Sequence, residues 1–294
     1  MGNNPAKVVI FHSEAAEDYA APGHPERPAR VSSTRELLKR QSDFVCDWRA
    51  VGTISEESIL RIHDSGLLEN LKSGSGNFDA DTARLAGICD RAKDSAAAAI
   101  RAMEAAKKGE IAFSLMRPPG HHATRSTAMG FCYLNSIAIA CGEARASGVK
   151  RVGVLDIDVH HGNGTEDIFL DREGYVFASI HQSPCYPGSG TSHAGKNCFN
   201  YPLPPLTARN YYRETVREGL SKLASEKVEL IGVSAGFDAY ARDPLAQELL
   251  EADDFYWIGQ QIRQAGIPFF SVLEGGYSND LPLLVKAYLQ GIVS

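Results

Sequence analysis

Residues 155–163 read LDIDVHHGN, and the run that leads into them begins RVGVLD at Arg151. A continuous apolar run of this kind suits a strand covered on both faces, as in a parallel sheet. Yet it ends in Asp156, Asp158, His160 and His161. Burying two carboxylates and two imidazoles without partners is costly, so something must compensate them. A metal ion is the direct solution; a structural ion-pair network competes with it. No Lys or Arg lies within the run to neutralise the aspartates, which favours the metal. Alternate residues of an extended strand end point the same way, so Asp158 and His160 face one ion. Catalytic zinc takes three protein ligands and keeps a position open for water. Asp238, in the SAGFD segment after another apolar run, is placed to be the third. An Asp–His–Asp set fits Zn²⁺ and also accepts Fe²⁺ or Co²⁺. Asp156 points to the other side of a regular strand, where it supports the ligands or binds a monovalent cation.

Working outward, β-rich runs alternate with helical patterns almost from end to end. The expected strands are 7–11, 111–115, 151–156, 175–180, 229–235 and 267–273. The expected helices are 30–41, 83–109, 131–146, 210–225, 252–266 and 280–292, with Gly109, Gly148 and Gly266 at the C′ positions where glycine ends a helix. This alternation predicts an α/β fold whose parallel sheet is covered on both faces. No repeat, low-complexity tract or long linker interrupts it, so a single domain over 1–294 is expected. Ligands of open α/β sheets bind at the carboxyl ends of the strands. Five strands in a row run into MRPPGHHA, DIDVHHGNG, HQSPCYPGSG, GFDAY and EGGYS. Six of the nine histidines (121, 122, 160, 161, 181 and 193) fall in or near three of these loops. That convergence marks an active site.

His121 and His122 after RPPG suit acid–base work when one is neutral and the other shares a carboxylate partner. A His-His pair alone is more often a helix cap or a loop pair, and only the neighbouring metal cluster makes the functional reading the stronger. Tyr277 follows Gly275 and Gly276, which let the backbone bend and bring its phenol close to a ligand as an oxyanion donor. A core tyrosine with a satisfied hydroxyl is the alternative. Phe131 and Tyr186 flank the loops as candidate walls of an apolar channel. His161, His181 and Glu274 are expected to be supporting or structural groups, and His12, His24 and His63 to lie outside the chemistry.

The segments RPPGHHA, GFCYLN, DIDVHHGNGT, SAGFDAY and LEGGY, in this order, resemble the histone deacetylase superfamily, closest to its class II and bacterial deacetylase-like branch. The resemblance begins at GHPERPARV (23–31) and covers nearly the whole chain. It implies a three-layer α/β/α arginase–deacetylase fold around an eight-stranded, mostly parallel sheet; two of those strands have no counterpart among the six runs above. It makes Asp158, His160 and Asp238 zinc ligands, His122 the general base and acid, His121 its electrostatic partner and Tyr277 the carbonyl-polarising donor. Asp156 matches an aspartate behind His121 that also contributes to a buried K⁺ site with backbone groups around Asp158, His160, Ser179 and Ile180. Asn163 stands behind the second histidine, as in class II members. Phe131, with Gly130, matches one wall of an acyl-lysine tunnel, and Tyr186 stands where many members carry Phe. Gly275 and Gly276 fall in the substrate-facing turn, and Arg27 matches an arginine near an internal acetate channel. Some polyamine-specific members carry an acidic gatekeeper after the DP that follows the third ligand; here Leu245 occupies that place.

The resemblance therefore implies a zinc-dependent amidohydrolase that removes acetyl or other short acyl groups from lysine side chains of peptides or proteins and is inhibited by hydroxamates. Deacetylation of acetylpolyamines or another N-acyl amine is the alternative. Asp79 and Asp81, in NFDADTAR, are candidates to clamp a substrate amide. An acyl-lysine-binding protein without turnover is disfavoured because the ligand, base and phenol positions are all filled. An arginase-like ureohydrolase needs a binuclear site that DIDVHHGNG does not supply. At 294 residues with a net charge of −6 and scattered Lys and Arg, the chain is not expected to bind nucleic acid. Six cysteines without a CxxC pair, and the lack of an apolar leader or spanning segment, lead to an expectation of a cytoplasmic, membrane-free protein with reduced thiols. MGNNPA satisfies part of a myristoylation pattern, but Ala6 stands where Ser or Thr is required.

Overall fold

The computed structural model describes residues 6–294, so most of the MGNNPA segment lies outside the described residues. Eight strands run β1 (Lys7–Phe11), β2 (Val45–Arg49), β3 (Ala112–Ser114), β4 (Val152–Asp156), β5 (Tyr175–Gln182), β6 (Cys198–Leu203), β7 (Leu230–Ala235) and β8 (Phe269–Leu273). They form one sheet in the order β2-β1-β3-β8-β7-β4-β5-β6. Every neighbouring pair in it is parallel. With helices on both faces this is the three-layer α/β/α arrangement of the arginase–deacetylase type.

The expected strands are all present. The two additional ones, β2 and β6, are the two edges of the sheet. An edge strand pairs on one side only and needs no continuous apolar run. The sequence VCDWR of β2 is at best half-buried, and CFNYPL of β6 alternates and carries Pro202, a residue that edge strands tolerate.

One helical layer contains α4 (Ile88–Lys107) and α5 (Ser136–Ala146), which pack on each other and on the middle of the sheet. The other contains α1 (Ala29–Arg40), α7 (Arg209–Ser225), α8 (Ala252–Gln264) and α9 (Leu281–Val293). Three short α-helices, α2 (Glu56–Leu60), α3 (Ser65–Ser73) and α6 (Asn163–Phe169), and a 3₁₀ turn at Glu14–Glu17 complete the helical elements among the described residues. Ala92, Ala96, Ala99, Ala102 and Ala106 form the buried stripe of α4, and their small side chains let a long helix lie close on the strands. This helix starts later than expected because Gly87 is left-handed, with φ 72°. Likewise α5 starts at Ser136, where the Asn135 side chain caps it by accepting from the Ala138 amide at 3.0 Å. The freed residues 83–87 and 131–135 remain outside the helices, near the site. Gly109, Gly148 and Gly266 do take positive φ just past helix ends. No described helix is long and apolar enough to cross a membrane.

The register places Asp156 of β4 beside Ser179 of β5 and Ser234 of β7. The five strands that deliver polar loops, β3, β8, β7, β4 and β5, are consecutive in the sheet. Segments far apart in sequence are thus brought to one edge.

Candidate active site

Asp158 and His160 follow β4, and Asp238 follows its neighbour β7. One ligand atom from each lies within 4.8 Å of the others, and all three residues are buried. Asp158 Oδ1 accepts from His160 Nδ1 at 3.1 Å, and Asp158 Oδ2 accepts from the Gly275 amide at 2.7 Å. Asp238 Oδ1 accepts from the Val159 amide at 2.9 Å. Its Oδ2 lies 3.2 Å from His160 Nδ1 but has no hydrogen-bond donor, although it is buried. A buried carboxylate oxygen left without a donor is costly. Burial, followed by the charge of Asp158, pushes the Asp238 carboxyl up, whereas protonated His121 and His160 overcome burial to hold Asp158 low. Burial opposes charge on His160 too, but its bond to Asp158 and the nearby Asp238 carboxylate raise it. Two carboxylates, one imidazole and one orphaned oxygen form a donor set that fits a divalent cation, with the His160 proton displaced on binding.

The GHH loop after β3 lies beside this cradle. His121 donates from Nδ1 to Asp156 Oδ2 at 3.0 Å, and its Nε2 lies 3.7 Å from Asp158 Oδ1. Burial lowers its pKa, but Asp158 and Asp156 overcome this and raise it to about 10, so His121 is a cation at neutral pH. His122 donates from Nδ1 to Asn163 Oδ1 at 2.7 Å. Burial, then the charges of His121 and His160, hold it well below the usual imidazole range, so it is neutral. Two adjacent histidines thus have opposite protonation states, set by their partners. The rings are 4.0 Å apart, and with Nδ1 bonded His122 keeps the lone pair of Nε2.

Tyr277 is brought in by the turn after β8. Gly275 carries no side chain because a Cβ there would sit 2.0 Å from Asp238 Oδ2, and Gly276 takes φ +116°. Asp243 Oδ2 accepts from the amides of Tyr277 and Ser278 at 2.7 and 3.2 Å, while its Oδ1 accepts from Leu245 at 3.0 Å. Burial keeps the Tyr277 phenol protonated, well above its ordinary value.

His122, His160 and Tyr277 line a cavity of about 320 Å³ together with Gly130, Phe131, Tyr186, Leu245, Asp81, His24 and Pro25. Phe131 stands edge-on to Tyr277 at 5.8 Å, and Tyr186 edge-on to His122 at 5.1 Å. Gly130 is required where it is: φ is +57° and a Cβ would meet the His122 ring at 2.7 Å. Phe131 itself adopts φ 68°, a conformation unfavourable for a bulky residue, and its amide is held by Thr82 Oγ1 at 3.0 Å.

Most of the expected site residues are therefore brought together, with four differences. Gly275 and Gly276 shape the turn behind the ligands and do not line the cavity. Arg27 is not in an internal channel; it is half-buried and donates to Asn279 Oδ1 at 2.8 Å. Arg30 and Arg117 are the buried arginines of this region, sharing Glu26, and Arg30 lies over the Tyr277 ring at 4.8 Å. Arg27 precedes α1, which begins at Ala29, whereas Arg30 lies in its first turn and is buried. His24, set aside in the sequence, does line the cavity and packs on Phe131 at 4.5 Å between ring centroids. Asp79 is committed to its own loop and the Gly130 amide, which leaves Asp81 as the acidic group at the cavity.

A parallel α/β sheet carrying a buried Asp–His–Asp cradle, a split-charge histidine pair and a phenol defines a hydrolase-type centre. Comparison with known proteins gives its lineage. Residues 24–291 match the model of the histone deacetylase domain. The chain is 39% identical over 292 residues to a protein called "probable deacetylase" of Methanothermobacter thermautotrophicus, covering 92% of this chain and 86% of that one. It is 35% identical over 224 residues to the acetylpolyamine amidohydrolase of Mycoplana ramosa, covering 72% and 66%. Among solved structures the HDA15 HD domain superimposes with a TM-score of 0.90 at 26% identity, covering 98% of this chain and 88% of that one. The chain belongs to the histone deacetylase family, whose members include both deacetylases and amidohydrolases of acylated amines.

Proposed function

We propose that the protein is a metal-dependent amidohydrolase that removes a short acyl group from a primary amine, with acylated polyamines as its leading substrate class. The observation that carries this reading is the Asp158–His160–Asp238 cradle beside the His122 and Tyr277 side chains of one narrow cavity. A divalent ion held by these three residues, Zn²⁺ or in its place Fe²⁺ or Co²⁺, supplies Lewis acidity and an acidified water at neutral pH. His122 Nε2 takes a proton from the attacking water and returns it to the leaving amine. His121 stays protonated against Asp156 and lends its charge to the developing anion. The Tyr277 hydroxyl donates to the oxyanion that forms on the former amide carbonyl. Asp156 is also the proposed K⁺ ligand, with backbone groups of Asp158, His160, Ser179 and Ile180. Tyr277→Phe is expected to lower kcat about 10²–10³-fold while leaving metal content unchanged; equal kcat in the two proteins would remove the phenol from the mechanism.

The preference for a cationic amine rests on Asp81 and on the relatives. No Lys or Arg lines the cavity, and the hydrogen bonds of the exposed Asp81 among the described residues run through its backbone, to His24 and Asp79. The Asp81 carboxylate is free to meet a second ammonium of an acylated polyamine. Asp81→Asn is expected to raise KM for acetylputrescine up to about fivefold at low salt, the worth of one exposed ion pair, and to leave a neutral acetamide unaffected. An unchanged KM ratio would favour the second reading, acyl-lysine in peptides or proteins. That reading is supported by Leu245, an apolar residue at the cavity where an acidic gatekeeper would confer polyamine selectivity. Acetyl-lysine peptides assayed beside acetylputrescine and acetylspermidine decide between the two.

A further inference from the structure

The segment Glu274–Tyr277 is tied to every functional part of the site. The Gly275 amide holds Asp158, Arg30 donates to the Glu274 and Gly276 carbonyls, and Asp243 holds the Tyr277 amide. The Glu274 side chain makes the remaining tie. Fully buried at the end of β8, it accepts from the Gly120 amide at 2.7 Å and the His121 amide at 3.2 Å through Oε2. Its Oε1 accepts from Ser234 Oγ of β7 at 3.2 Å. The GHH loop belongs to β3, which lies next to β8 in the sheet, and Gly120 is wedged against the Ser136 and Leu134 backbone with no room for a Cβ. One carboxylate therefore bridges two successive amides of the histidine loop to the turn that bears Tyr277.

We propose that Glu274 is a positioning residue that fixes the His121–His122 pair against the metal cradle and Tyr277. The proposal deepens the amidohydrolase reading and rests on it for its kinetic consequence. The contacts require an acceptor of glutamate length; a negative charge is not needed, because both Oε2 partners are backbone amides. Length and charge are separated by two variants. Glu274→Gln keeps a carbonyl oxygen at the same reach and an amide that can donate to Ser234. Glu274→Asp keeps the charge but withdraws the carboxylate by one methylene. Loss of a group that orients the reacting side chains is expected to cost about 10–100-fold.

The test is kinetics on metal-loaded protein together with proton NMR of the downfield imidazole N–H that His121 donates to Asp156. Glu274→Asp and Glu274→Ala are expected to lower kcat 10–100-fold at unchanged KM and metal content, and to shift or broaden that resonance. Glu274→Gln is expected to keep both near wild type. If Glu274→Asp retains the resonance and kcat, or Glu274→Gln behaves like Glu274→Asp, the positioning role is overturned. A general loss of melting temperature, KM and metal content together would overturn it too, by revealing a purely structural role. A wild-type protein that hydrolyses no amide would sink the functional reading alone, since the resonance still reports the histidine geometry.

Discussion

Asp238→Asn is expected to abolish tight binding of the divalent ion and to lower amide hydrolysis roughly 10³-fold, equivalent to about 4 kcal/mol of transition-state stabilisation. The same substitution is expected to act in the opposite direction on the metal-free protein. Asp158 and Asp238 are buried carboxylates in one cradle, and Asp238 Oδ2 has no donor. Replacing one by a neutral amide relieves a charge that the metal-free fold bears at a cost. In chelator the variant should therefore melt at or above the wild-type temperature. With zinc present at about 10³ times its dissociation constant, the wild type should gain about 4 kcal/mol and overtake it. Metal analysis and paired melting curves measure both effects. A variant that retains one bound ion per chain and full activity would refute the assignment of Asp238.

His122→Ala carries the second large effect. Removal of a general acid–base group is expected to lower kcat about 10²–10⁴-fold, with metal content and melting temperature preserved. The wild-type pH profile follows from the same environment. Burial and the positive charge of His121, joined in the loaded enzyme by that of the ion that would replace the His160 proton, favour the neutral form of His122. The base is therefore competent at neutral pH and stays so as the pH falls through the ordinary imidazole value near 6.5. Activity is expected to decline only below that, when His122 at last takes a proton. An acid limb at or above 6.5 would mean that a different group, or a His122 free of these charges, limits the reaction. His121 has the reverse bias, held protonated up to about 10.

Much of this site was readable in the chain itself. A buried strand cannot end in DIDVHH without a partner for its charges, and the period of a strand puts Asp158 and His160 on one side. The five polar strand ends announced a common edge because a parallel sheet sends all its carboxyl ends the same way. The unequal roles of the two histidines came from the family resemblance, and the fold supplies the partners that separate them, Asp156 for His121 and Asn163 for His122.

Other features were decided only by the folded chain. The strands β2 and β6 carry weak signals because an edge is half exposed, and no local pattern reveals which segment pairs there. Arg27 and Arg30 look equivalent in PERPARV, yet Arg30, in the first turn of α1, is buried over Tyr277, while Arg27, before the helix begins, is half-buried and bonded to Asn279. The uses of Glu274 and Asp243, which accept backbone amides from segments far away in sequence, have no sequence signature, since a backbone amide is the same at every residue. His24 and Asp81 reach the cavity through a loop contact, His24 Nε2 to the Asp81 carbonyl at 3.1 Å, that no periodicity encodes. Residue types and periodicity thus pointed to a metal-type cluster and to the parallel sheet that carries it. Tertiary packing decided which neighbours hold that chemistry in place, because those contacts depend on three-dimensional reach rather than on spacing along the chain.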